Sequence, residues 1–104
     1  MPQIIVKNVK EEQMPALAQT LAPQLADIVS SPVEWFVFDL AESKFYNHTG
    51  KIPHYPVIQV WWYERPQEVK EGVADAIAGY LRDIGYDECQ ISFHLFDYDS
   101  YFEY

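Results

Sequence analysis

A proline at position 2 has little reactivity inside a chain, but removal of Met1 would leave it as a secondary amine, able to act as base or nucleophile. An α-amino group titrates near about 7.7 to 8.0, and burial against aromatics with a cation close by lowers that further. The amine would then be neutral at physiological pH, ready to take a proton from a carbon next to a carbonyl and return it elsewhere. Cations to hold an anionic substrate are scarce: 7 Lys and Arg stand against 16 Asp and Glu, a formal charge of -9. Other chemistry-bearing residues are poorly placed. His48 and His54 share a loop without a third ligand at metal spacing, so no metal centre is expected. Asp97, Asp99 and Glu103 superficially suggest a calcium loop, yet the turn glycine is missing. Cys89 stands alone with nothing to make it reactive, and no cofactor is expected.

Composition bounds the rest. The 104 residues, 49% hydrophobic and 16% aromatic, make one domain that buries roughly two-thirds of its unfolded surface and needs no metal or disulfide staple. The apolar content excludes disorder. The acidic balance argues against a phosphate-tracking nucleic-acid binder and against an anionic membrane surface. No apolar run approaches the roughly 20 residues of a membrane span. A lone cysteine, with no basic-then-apolar leader, points to a reducing cytoplasm.

The elements that must position these residues follow from periodicity. Residues 2 to 7 read as a strand, with Asn8 and Glu11 at capping-box spacing before a helix. Met14, Leu17, Ala18, Leu21, Leu25, Ile28 and Val29 form its stripe, ending near Ser30-Ser31-Pro32. Pro23 lies opposite the stripe and predicts a kink, with the freed Gln19 carbonyl facing water. Residues 34 to 41 form a strand, and 43 to 56 a breaker-rich loop. Residues 56 to 63 are the clearest strand, dense in β-branched and aromatic side chains. Pro66, at a first helical position, and Glu68 open a second helix, with a stripe of Val69, Val73, Ala76, Ile77, Tyr80 and Ile84 and a stop at Gly85. Gly72 and Gly79 imply close packing at the stripe's edge. Residues 89 to 96 make the last strand, before an acidic and aromatic tail.

The halves repeat. Pro2 lines up with Pro56, Val6 with Val60, Phe38 with Phe93, Leu40 with Leu95 and Tyr46 with Tyr101. Two tandem βαβ units, about 2-46 and 56-101, give an α+β fold: a four-stranded mixed sheet with both helices on one face. Alternation turns Phe36, Phe38, Leu40, Ile58, Val60, Trp62, Ile91, Phe93 and Leu95 toward the helices. It leaves Trp35, Val37, Asp39, Val57, Gln59, Trp61, Ser92 and His94 on the other face. That face is too apolar to stay wet, and another copy of the chain is its simplest partner.

The Met-Pro start, the tandem units and the oligomer-forming sheet face together resemble the tautomerase superfamily, which includes oxalocrotonate tautomerase and macrophage migration inhibitory factor. More closely, the run Pro56 to Val69, with Trp35 to Ser43 and Tyr101-Phe102, is similar to a bacterial family of unknown function grouped with that superfamily. The resemblance implies a homotrimer, active sites near subunit boundaries, and keto-enol isomerisation of a small carbonyl acid. It also implies Pro2 as general base and Arg65, after the second unit's first strand, as anion holder. Ser92 and His94 stand where the migration-factor branch offers a tyrosine and an asparagine, and so become candidate substrate-binding residues. The chain departs from the pattern at Glu11, the first-unit counterpart of Arg65, and at Ser31-Pro32, where that branch carries a cation. The alternative is a catalytically silent trimer of the same fold with a binding or structural role, in which Arg65 merely pairs with Glu64 or Glu68.

Overall fold

Alternation decides which side of each central strand is dry. In β5 (Val57–Trp62), Ile58, Val60 and Trp62 are buried while Val57, Gln59 and Trp61 are only partly covered. In β1 (Gln3–Lys7), Ile4 and Val6 are buried and Gln3 is exposed. Two helices seal that side. α1 (Met14–Val29) turns Leu17, Leu21, Leu25 and Ala26 inward, and α2 (Gln67–Asp83) turns in Val73, Ile77 and Leu81, each at three-four spacing. These residues form one core with the inner faces of β1 and β5. The structure is a computed structural model that describes residues 2–104. The expected removal of Met1 therefore lies outside the described residues.

The sheet is completed by β2 (Val37–Ala41) and β6 (Gln90–Leu95), in the order β2-β1-β5-β6. β1 runs parallel to β2 and β5 parallel to β6, while β1 and β5 meet antiparallel at the centre. This is the expected pair of βαβ units, with the first strand of each in the middle. Pro2 and Pro56, each just before a central strand, are both buried. Among the described residues no helix is long and apolar enough to cross a membrane.

The structure departs from the sequence expectations in several places, among them Leu95, which was expected to face the helices and is 47% exposed at the end of an edge strand. Asn8 does not cap α1: it takes a left-handed backbone (φ 66), Glu11–Gln13 form a 3-10 turn, and α1 begins only at Met14. The Asn8 side chain instead donates from Nδ2 to the carbonyls of His54 and Tyr55, so a long-range partner outcompetes the local cap. The strand expected from residue 34 starts at Val37, because Val33–Trp35 wind into a 3-10 turn behind Pro32. Trp35 thus leaves the alternation that assigned it a face. The middle loop contains a hairpin, β3 (Phe45–Asn47) and β4 (Gly50–Ile52), whose turn is closed by Asn47 Oδ1 accepting from Thr49 N at 2.8 Å. Pro66 is the residue before α2, not its first. α1 continues through Pro23, which with Gln19 lies on the exposed side.

Candidate active site

Pro2 stands one residue before β1. Because Gln3 pairs with Trp61 on one side and Val37 on the other, the next step of each register sets Pro2 against Trp62 and Phe36, on the helix-covered face. Trp62 is 1% exposed, and its indole Nε1 is buried with no hydrogen-bond partner among the described residues. An orphaned buried donor costs about 1–3 kcal/mol, so its persistence calls for a reason.

Arg65 meets the same ring. Its Cζ lies 5.5 Å from the Trp62 ring centroid, a cation–π contact. Nη1 donates to the carbonyls of Tyr63 (3.1 Å) and Glu64 (3.2 Å), which folds the guanidinium back over the end of β5. The Glu64 carboxylate is taken by Lys70 at 3.1 Å, so Arg65 has no carboxylate partner among the described residues. Just ahead of α2, its charge adds to the positive end of that helix's dipole. Pro2, through strand register, and the Arg65 guanidinium, through its cation–π contact, thus meet at Trp62.

The tail closes over this end of the sheet. Phe96 N donates to Trp62 O at 2.7 Å, and Tyr63 stacks on Tyr98 at 4.2 Å with Tyr101 edge-on at 5.7 Å. Burial first, then Tyr101, Glu103 and Tyr98, hold the Tyr63 hydroxyl above its ordinary pKa.

Ser92 and His94 are not brought to Pro2. Ser92 Oγ lies 2.8 Å from His94 Nε2, and the His94 ring stacks on Trp61 at 4.4 Å. Both belong to the open face by parity, and β5 separates β6 from β1, a span of about 10 Å. His54 is sandwiched between Phe45 at 4.3 Å and Tyr55 at 4.1 Å. Trp62 is the site residue that sequence reasoning assigned only to the core. Alternation correctly turned it inward, but an unsatisfied indole nitrogen leaves no sequence signal.

A family model described as Domain of unknown function (DUF1904) matches residues 1–104. No curated protein matches the sequence. Among solved structures, a DUF1904 domain from Sebaldella termitidis ATCC 33386 is similar over 99% of this chain and 95% of its own, with 25% identity and a TM-score of 0.92. A macrophage migration inhibitory factor-like protein from Entamoeba histolytica is similar over 98% of this chain and 94% of its own, at 12% identity and a TM-score of 0.74. A fused 4-OT described as an asymmetric trimer covers 97% of this chain and 91% of its own, at 14% identity and a TM-score of 0.82. At such identities the last two establish the fold, which is tautomerase/MIF-like.

Proposed function

The chain belongs to the DUF1904 family, and from its fold and site we propose that it is a tautomerase-like protein acting on a small carbonyl acid. The carrying observation is Trp62, whose ring holds Arg65, whose buried N–H is unpaired among the described residues, and which strand register sets opposite Pro2. With Met1 removed, the Pro2 nitrogen takes a proton from the carbon next to the substrate carbonyl, and the electron pair moves onto the carbonyl oxygen. The indole N–H donates to that oxygen, Arg65 holds the carboxylate, and the protonated amine returns its proton elsewhere on the substrate. Burial of Pro2 and the Arg65 charge both favour the neutral amine that the first step requires.

Intact mass is the first test: a chain still carrying Met1 has an amide nitrogen at Pro2 and ends the enzyme reading. If Met1 is absent, ketonisation of phenylenolpyruvate should be fast in the wild type and slow in Pro2→Ala. Equal rates would discard Pro2 as catalyst. They would favour the second reading, a silent binding or structural protein, which the burial of Pro2 supports because a substrate must reach the nitrogen.

The same reading includes a cytoplasmic homotrimer. It is supported by the uncovered sheet face, where Val37 is 61% exposed, and by the likeness to a fused 4-OT described as a trimer. Sedimentation at micromolar concentration checks it, and a clean monomer would overturn it.

A further inference from the structure

The far end of β1, about 20 Å from Pro2, carries a second charged feature. There a cleft of about 400 Å³ lies between the β3–β4 hairpin and Asn8, bordered by Ser43, Lys44 and Lys51. Tyr46 pairs with Lys51, so alternation puts Lys44 and Lys51 on one face of the hairpin. No carboxylate borders this cleft, although the chain has 16. Neither lysine is in an ion pair among the described residues, where the pairing is between Lys70 and Glu64. Two of the chain's seven cations thus border one cleft without an ion-pair partner among the described residues.

An adjoining cleft of about 190 Å³ shares Asn8 and Ser43 with the first and is bordered by Glu11 and Glu42. One groove therefore changes sign along its length, cationic at the hairpin and anionic toward α1. Its hinge is held, because the Asn8 side chain bonds to the carbonyls of His54 and Tyr55 and so ties the base of the hairpin to the end of β1.

We propose that this groove binds a small zwitterion of the amino-acid class, with its carboxylate between Lys44 and Lys51 and its ammonium toward Glu11 and Glu42. A dicarboxylate of equal length meets the same lysines but sets its second charge against the two glutamates. The site is separate from the Pro2 end and does not depend on activity there.

Amide chemical shifts of the full chain, titrated with 6-aminohexanoate and with adipate, test this directly on the wild-type protein. Aminohexanoate should shift Asn8, Ser43 and Ile52 saturably, at least about fivefold tighter than adipate, a difference of about 1 kcal/mol. Lys44→Gln/Lys51→Gln should weaken aminohexanoate by at least that factor, and Glu11→Gln/Glu42→Gln should abolish the preference over adipate. Adipate binding as tightly as aminohexanoate, or shifts that never saturate, would overturn the proposal.

Discussion

Two glycines in α2 allow the helix packing to be tested by one substitution made twice. A Cβ at Gly72 would meet Ile28 Cγ2 of α1 at 3.3 Å, whereas at Gly79 it meets nothing within 4 Å. Both glycines are half-buried, and replacing a helical Gly with Ala gains about 1 kcal/mol of helix propensity at either site. Gly79→Ala should keep that gain and raise Tm by about 4–8 °C for a domain of this size. At Gly72 the new methyl is too close by a few tenths of an ångström. Overpacking of this kind costs about 1–3 kcal/mol, and the small overlap puts it near the lower end, so the net change should be close to zero. Thermal and urea unfolding of the two variants should therefore differ by about 1 kcal/mol. In an Ile28→Ala background the clash is gone and Gly72→Ala should recover its full gain, a coupling of about 1 kcal/mol. If Gly72→Ala stabilises the wild type as much as Gly79→Ala does, the close approach of the helices at Gly72 is not the constraint described.

Asn8 combines a left-handed backbone with side-chain bonds to His54 and Tyr55. Asn8→Ala should cost about 1–2 kcal/mol in urea unfolding and Asn8→Gly less, because glycine loses the bonds but tolerates the backbone; equal losses would assign the whole effect to the hydrogen bonds. Cys89 is pushed above its ordinary pKa by burial, against an opposing effect of Arg82. The folded state thus holds the thiol proton longer, so the contribution to stability is present below the unfolded pKa and falls as pH rises through the folded one. Iodoacetamide should accordingly label the native chain more slowly than the urea-unfolded chain at pH 8.5, and equal rates would contradict the burial. For an active chain, Arg65→Gln should lower kcat/KM about 10–100-fold, the loss of a hydrogen bond to a charged group.

Most of the fold was legible because it rests on local periodicity. Leu17, Leu21 and Leu25, and Val73 and Ile77, lie where helical spacing put them, and Ile58, Val60 and Trp62 where strand alternation did. Leu81, the deepest residue of α2, was missed beside Tyr80, since a stripe at 3.6 residues per turn leaves adjacent positions hard to separate. Gly72 was read correctly as a close approach, but Gly79 has open space beside it. The hairpin went unread because each strand has three residues, too few for alternation to register, and its signal is the Asn47 to Gly50 turn alone. Asn8 shows the other limit: its spacing to Glu11 is that of a cap, and only the fold brings the His54 carbonyl to compete. At the candidate site, the places of Pro2 and Arg65 in the chain were readable. Their meeting at Trp62 was not, because only the antiparallel register between β1 and β5 sets Pro2 opposite that residue.

The charge balance bears on that site in a way composition alone obscures. A chain at -9 would, through its average field, favour the protonated form of any amine and so oppose a neutral Pro2. At physiological ionic strength, however, exposed charges beyond about 8 Å are largely screened, so the nearest charges decide. The nearest acid in sequence to Arg65 is Glu64, and Lys70 neutralises it at 3.1 Å. That pair leaves the guanidinium over Trp62 without a carboxylate partner among the described residues, on the residue that strand register sets opposite Pro2. On the proposed reading one cation serves twice, holding an anion and keeping the amine unprotonated. Loss of it in Arg65→Gln should therefore move the acidic limb of a kcat/KM pH profile upward as well as lowering its plateau. Lys70→Gln should do the same more weakly, by releasing Glu64 to compete for Arg65. A lowered plateau with the limb unmoved in Arg65→Gln would mean that Arg65 binds substrate without tuning the base.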